Sequence, residues 1–256
     1  MKLEQELTQY LEKILKNPMR SISAREIISV LDLTLLEEKA QPHAIENLAQ
    51  IAVTHEVAAI CVLPQHLHHI PATTGITRAT VANFPAGDEV QEDVLKTIIQ
   101  SIKLHAGEID YVFPYQNYLH GNQKLALQAV KENYELCKRH QVIFKVILET
   151  GAFPSMALIY EACLDILAQG CDFLKTSTGK TAQGATLSAA FTILSAIKES
   201  GKPCGIKLSG GVKTKEQALQ YAALAEFMIG LPVNKTWFRL GASRLLDELL
   251  AAPTSS

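Results

Sequence analysis

Asp172-Phe173-Leu174-Lys175-Thr176-Ser177-Thr178-Gly179-Lys180 is a short apolar run with a lysine in its middle, closing on a glycine and a second lysine. Over 173–178 it reads as a strand. Successive side chains of a strand point to opposite faces, so Phe173, Lys175 and Ser177 share one side. A lysine aimed into a core is costly unless it is paired or kept neutral for chemistry. The stretch alone fits a solvated edge strand with two surface lysines, or an amine nucleophile beside an anion-binding loop. Its surroundings favour the second. Upstream lie a helix over 155–169 and a strand over 142–149 that carries Lys145. Downstream, Leu187, Ala190, Phe191, Leu194 and Ile197 fall at helical spacing, and a strand over 204–209 carries Lys207.

The same alternation runs along the chain. Strands are predicted over 27–34, 57–63, 76–84, 108–113, 142–149, 173–178, 204–209 and 237–240. Helices are predicted over 42–55, 66–72, 88–106, 122–140, 155–169, 187–199, 215–228 and 243–251. Strand–helix alternation at this pitch means βα units on a parallel sheet. Eight such units fit an α/β chain closed into a single (β/α)8 TIM barrel. An open doubly wound sheet is the alternative, weakened because no GxGxxG follows the first strand. Residues 1–27 read as an extra N-terminal helical segment ahead of a barrel catalytic domain over 28–256. Leu3, Leu7, Tyr10, Leu11, Ile14 and Leu15 form its apolar stripe, and Asn17-Pro18 ends it. That stripe must be buried, against the barrel bottom or in a subunit interface.

Composition narrows the function. The chain has 256 residues, 48% of them hydrophobic, and a net charge of −2 with no basic tract. Nothing in that balance points to nucleic acid or a membrane surface. Acidic residues come early in the N-terminus, unlike a signal peptide, and no apolar stretch is long enough for a membrane helix. Five scattered cysteines without a CxxC pair read as reduced thiols in a cytoplasmic protein.

Several predicted strands carry charge where a purely structural barrel would carry valine. Asp32, Asp110, Lys145, Lys175 and Lys207 each alternate with an apolar face that can pack on helices, so these charges face the barrel interior. A structural ion-pair network would look similar, but barrel active sites lie at the C-terminal ends of the strands, where these residues are. An ordinary lysine, with a pKa of about 10.4, is protonated at neutral pH. A second cation nearby disfavours the charged form, and a neutral lysine attacks a carbonyl to form a Schiff base. Asp110 is placed to shuttle protons. Three small-residue stretches suit a phosphate: Thr178-Gly179-Lys180, Ser209-Gly210-Gly211-Val212 and Gly241-Ala242-Ser243. Gly179-Lys180-Thr181 is not a P-loop, because position 174 is leucine. His66, His68 and His69 have no carboxylate to complete a metal set and read as a solvated helix face, so neither metal nor cofactor is expected. Cys61 reads as a buried inert thiol, with an accessible one as the alternative.

Taken together, these motifs resemble the deoxyribose-phosphate aldolases, a family of class I aldolases. The resemblance runs from about Leu31 to about Leu246. It rests on Leu31-Asp32-Leu33-Thr34, Ala59-Ile60-Cys61-Val62, Ala82-Asn83-Phe84-Pro85-Ala86-Gly87, Glu108-Ile109-Asp110-Tyr111-Val112-Phe113-Pro114-Tyr115, Phe144-Lys145-Val146-Ile147-Leu148-Glu149-Thr150-Gly151, the Lys175 stretch, Gly205-Ile206-Lys207-Leu208-Ser209-Gly210-Gly211-Val212 and Arg239-Leu240-Gly241-Ala242-Ser243. It implies a (β/α)8 barrel and a homodimer, without metal. It also implies reversible cleavage of 2-deoxyribose 5-phosphate to glyceraldehyde 3-phosphate and acetaldehyde. By the resemblance, Lys175 is the Schiff-base lysine, Lys207 lowers its pKa and Asp110 shuttles protons. Asp32 and Lys145 match polar residues around that centre, and Thr178, Gly179, Lys180, Gly210, Gly211, Gly241 and Ser243 fall at the phosphate loops. Ser209, Lys213 and Arg244 depart from the common alanine, arginine and serine. The C-terminal stretch Ala251-Ala252-Pro253-Thr254-Ser255-Ser256 lacks the terminal tyrosine of some members. A Schiff-base aldolase for another phosphorylated sugar and a non-catalytic sugar-phosphate-binding barrel remain as alternatives.

Overall fold

The structure, a computed structural model, describes residues 2–16, 20–71 and 75–251. Asn17-Pro18, the side chains of Leu11, Ile14 and Leu15, Ala72 and the C-terminal stretch from Ala252 lie outside the described residues.

Eight parallel strands close into a barrel in sequence order. They are β1 (Leu31–Leu35), β2 (Ala59–Val62), β3 (Thr77–Ala82), β4 (Glu108–Val112), β5 (Ile143–Ile147), β6 (Phe173–Lys175), β7 (Gly205–Ser209) and β8 (Phe238–Ala242). β8 pairs back on β1, with Asp32 opposite Gly241. Around them lie α1 (Lys2–Lys16), α2 (Ala24–Ser29), α3 (Pro42–Thr54), α4 (Gln91–Lys103), α5 (Tyr115–Leu119), α6 (Gln123–Arg139), α7 (Met156–Gln169), α8 (Leu187–Ser200), α9 (Lys215–Ile229) and α10 (Leu245–Ala251). The short helix expected over 66–72 is a 3-10 helix over Pro64–His69. The period-two pattern of the strands sorts their side chains as anticipated. Ile109, Tyr111, Phe144 and Val146 are buried in the hydrophobic core, while the charged members of the same strands face inward.

The helix starts are written in side-chain caps. The Ser155 hydroxyl accepts from the Leu158 N–H to open α7, and Thr186 accepts from Ala189 N–H to open α8. Thr214 and Gln217 form a reciprocal capping box at α9. Each satisfies a backbone donor that a helix start leaves free, worth about 1 kcal/mol.

Several boundaries differ from the sequence reading, and two of them concern strands that carry site residues. The first strand was expected from residue 27, yet Ala24–Ser29 is α2, opened by a capping box between Ser23 and Glu26. The β-branched pair Ile27-Ile28 imitates a strand, and the Ser-x-x-Glu signature decides against it. The expected boundary between 27 and 28 therefore falls inside α2. The sixth strand is regular over Phe173–Lys175 rather than to 178. The chain still follows β7 for one residue more, with Thr176 N–H donating to the Lys207 carbonyl at 3.1 Å.

The apolar face of α1 lies on the outer helices. Tyr10 meets the rings of Phe191 on α8 and Phe227 on α9, with centroids 5.3 and 5.4 Å away. Leu3 and Leu7 pack beside it on the same core. Arg20 fixes the connection to α2 by pairing with Glu26 at 2.6 Å and with Glu226 of α9.

Candidate active site

Inside the barrel, seven charged side chains meet, each no more than 5% exposed: Asp32, Glu108, Asp110, Lys145, Lys175, Lys207 and Arg239. The closed register brings them together. Lys145 stands opposite Asp110 on neighbouring strands, Lys207 opposite Lys175, and Arg239 opposite Lys207. Asp110 is the hub. One oxygen, Oδ1, accepts from Lys145 Nζ at 2.7 Å. The other, Oδ2, accepts from both Lys175 Nζ and Lys207 Nζ, each at 2.7 Å. Lys207 also donates to Asp32 Oδ2. Lys145 also reaches Glu108 at 2.5 Å.

Charges removed from water must be paired, and these are. The cluster holds four cations and three carboxylates. If every group is ionised, one positive charge is left over; if one lysine gives up its proton, the buried site is neutral. The environments single out which lysine. Burial pushes the Lys175 ammonium below the ordinary lysine range, and Lys207 adds to that against the pull of Asp110. Lys207 is equally buried, yet Asp110 and Asp32 together hold it above that range. Lys145 is raised in the same way by Asp110 and Glu108, against burial. Burial would raise Asp110, but Lys145, Lys175 and Lys207 overcome it and hold the carboxyl well below the usual range. Neighbouring lysines thus carry opposite tendencies, the condition for one to be nucleophile and the other a fixed cation.

Lys175 is the member of this cluster that reaches a cavity of about 790 Å³ at the C-terminal mouth of the barrel. Thr178, Gly179, Lys180, Gly210, Gly211, Gly241 and Ser243, all picked from sequence, line the same cavity. So do Ser209, Lys213 and Arg244, the three departures from the family pattern. Asp32, Asp110, Lys145 and Lys207 lie beneath, within the ion-pair cluster. Gly241 corrects the sequence reading: it stands within β8, not in a loop after it. A Cβ there would come within 3.0 Å of Lys207 Cε, so the missing side chain makes room for that lysine. The loops after β6 and β7 pack through glycines. A Cβ on Gly184 would lie 2.0 Å from the Gly210 carbonyl oxygen. Lys180 spans the mouth, its ammonium donating to the Leu36 carbonyl at 2.7 Å.

Two functional neighbours, Glu108 and Arg239, escaped the sequence reading. Glu108 shares the inward face of β4 with Asp110, and Arg239 shares that of β8 with Gly241; the same alternation would have found both. Glu149 braces the loop after β6. Its Oε2 accepts from Thr178 Oγ1 at 2.5 Å and its Oε1 from Thr181 Oγ1 at 3.0 Å. Its left-handed backbone, φ 57°, turns the chain out of β5. His66 is also corrected: it is buried rather than solvated, with Nε2 3.1 Å from the Glu37 carbonyl oxygen. Cys61 is fully buried in β2, and burial pushes its thiol up to about 11, which excludes the accessible, reactive reading. Among the described residues, no three His, Cys, Asp or Glu side chains are grouped to hold a metal ion. No described helix is long and apolar enough to cross a membrane.

The sequence profile for DeoC/LacD family aldolase matches residues 27–230. A deoxyribose-phosphate aldolase of Agrobacterium fabrum (strain C58) is 40% identical over 230 residues, which cover 87% of this chain and 88% of that one. Solved structures share the barrel. A deoxyribose phosphate aldolase from Aeropyrum pernix, described as a tetramer, superposes with a TM-score of 0.75 at 23% identity, covering 96% of this chain and 95% of the other. One from Toxoplasma gondii, described as a putative deoxyribose-phosphate aldolase, gives 0.80 at 21% identity, covering 94% and 95%.

Proposed function

This chain belongs to the DeoC/LacD family of aldolases, and from that premise we propose that Lys175 is its Schiff-base nucleophile, acting on 2-deoxyribose 5-phosphate. The observation that carries the assignment is the position of Lys175. It is the one lysine of the buried cluster that lines the cavity, and the one whose ammonium form the surroundings disfavour.

The neutral amine attacks the C1 aldehyde of the open-chain sugar, and loss of water gives an iminium. A base removes the proton of the C3 hydroxyl, the C2–C3 bond breaks, and its electrons run into the iminium nitrogen. Glyceraldehyde 3-phosphate departs and leaves an enamine. Protonation at C2 and hydrolysis then release acetaldehyde and restore the amine. Asp110, in contact with Lys175 and Lys207 through one oxygen, moves protons to and from the reacting nitrogen. Lys207 stays charged throughout. The phosphate binds at loops that line the same cavity as Lys175, where Gly179, Gly210 and Gly211 expose backbone and Lys180, Lys213 and Arg244 supply positive charge.

In this reading α1 (Lys2–Lys16) is an N-terminal addition to the catalytic barrel. The enzyme works in the cytoplasm as a homodimer, on phosphorylated sugar and aldehydes rather than nucleic acid. Light scattering tests the dimer; a monomer or tetramer would correct it. The functional test is release of acetaldehyde from 2-deoxyribose 5-phosphate, lost in Lys175→Leu. Turnover of other phosphorylated sugars at equal kcat/KM would favour the broader aldolase reading.

A further inference from the structure

Two of the buried charges, Glu108 and Arg239, neither line the cavity nor touch Lys175 in any contact seen. They form a layer below it. Each guanidinium nitrogen of Arg239 is engaged: Nε donates to the Lys235 carbonyl and Nη1 to Asp32 Oδ1, each at 2.5 Å, and Nη2 to Glu108 Oε1 at 2.7 Å. Its guanidinium carbon lies 5.7 Å from the centre of the Phe173 ring, on the strand of Lys175. Glu108 divides its carboxylate between Arg239 and Lys145. A continuous chain of charged contacts therefore runs from Arg239 through Asp32 and Lys207 to Asp110 and Lys175. A second runs from Arg239 through Glu108 and Lys145 to the same Asp110.

We infer that Arg239 and Glu108 are positioning residues of opposite sign that set the protonation state of Lys175 through these two chains. The inference rests on the assignment of Lys175 as nucleophile. Its physical basis is the charge count. The charged groups linked to Lys175 through these contacts are Asp32 from β1, Glu108 and Asp110 from β4, Lys145 from β5, Lys207 from β7 and Arg239 from β8, and Cys61 of β2 is buried near them. With the Cys61 thiol protonated, three cations balance three carboxylates only when Lys175 is neutral. Without Arg239 the rest would carry a net negative charge that favours a proton on Lys175. Without the charge of Glu108 it would carry a net positive one that drives the proton off. Arg239 also holds Asp32 Oδ1, leaving Oδ2 for Lys207, so its loss frees Asp32 to turn. Arginine suits the place because its planar fork meets two carboxylates at once and does not lose its proton.

The test is the pH profile of covalent trapping at Lys175 by acetaldehyde and borohydride, read by peptide mass mapping on the full chain. Arg239→Met should move the profile to higher pH by about one unit, a tenfold loss of trapping at neutral pH. Glu108→Gln, nearly isosteric, should move it to lower pH. The double variant restores the balance and should return towards wild type. Arg239→Lys keeps the charge and should leave the midpoint in place while lowering kcat. A merely structural pair would lower yield and thermal stability and leave every midpoint where it was. If Arg239→Met does not fold, Glu108→Gln alone decides, since an unmoved or upward-shifted profile overturns the inference. Absence of label on Lys175 in wild type would overturn the nucleophile assignment and this inference with it. Normal wild-type labelling with coincident profiles overturns the inference alone.

Discussion

Replacing Lys207 by methionine keeps its stem and removes its charge. Lys175 and Lys207 both contact Asp110 Oδ2 at 2.7 Å, so their ammonium nitrogens lie within roughly 5 Å of each other. Two unit charges at ~5 Å interact by about 3 kcal/mol at an effective dielectric constant of about 20. Losing that repulsion removes a main reason for Lys175 to be neutral. It also leaves Asp110 Oδ2 to Lys175 alone, which works in the same direction. At about 1.36 kcal/mol per pH unit, the midpoint of Lys175 reactivity should rise by roughly two units, a loss near a hundredfold at neutral pH. The assay is the rate of borohydride trapping with acetaldehyde across a pH series, followed by mass mapping. Label should still fall on Lys175, with wild-type rates regained only in alkali. Lys207→Arg should recover part of the neutral-pH rate, since the charge remains and the geometry changes. If Lys207→Met is trapped at neutral pH as fast as wild type, the electrostatic role of Lys207 is refuted.

Other perturbations read different parts of the site. Gly211 has φ +84° and open space around it, so Gly211→Asp should raise KM steeply for 2-deoxyribose 5-phosphate and little for unphosphorylated deoxyribose; equal losses would make the loop structural. Asp32 is held below the ordinary carboxyl range by Lys207, Arg239 and Lys145 against the upward push of burial. A depressed carboxyl adds stability that is full above its unfolded pKa of about 3.9 and lost as pH falls through its lower folded value. Asp32→Asn should therefore cost about 3–5 kcal/mol at neutral pH and flatten the fall in urea-measured stability below about pH 4; parallel stability–pH curves would contradict this. Tyr10→Ala should cost about 1–2 kcal/mol of stability and leave kcat unchanged, because α1 packs on α8 and α9 and none of its described residues lines the cavity. Activity should survive EDTA, since the Schiff base is the electron sink; loss restored by a divalent ion would return attention to the histidines.

The barrel was legible because its signals are periodic. Alternation of Ile143, Lys145 and Ile147 against Phe144 and Val146 assigns both a strand and its inward face, without a partner in view. The same rule placed Lys175, Lys207 and Asp110 together. What could not be read was register. Only the closed sheet sets Lys207 opposite Lys175, and only the side-chain geometry shows both sharing one oxygen of Asp110. Glu108 and Arg239 were readable by the same alternation but hid inside stretches chosen for neighbouring residues. Glu149 continues the alternation of Lys145 and Ile147, but its left-handed backbone lies past the end of β5, and its carboxylate serves the loop after β6. The first strand went wrong where Ile27-Ile28 suits either structure and the capping residues Ser23 and Glu26 tip the balance. Gly241 was assigned to a loop because glycine usually marks one; here it leaves space for the Lys207 stem within a strand.

The most direct measurement is reductive trapping of the wild-type protein with acetaldehyde and cyanoborohydride at neutral pH, followed by peptide mass mapping. The account predicts one added ethyl group on Lys175, with Lys207 and Lys145 unmodified and activity lost in step with labelling. Label on Lys207 instead, or full inactivation with Lys175 unmodified, would contradict it.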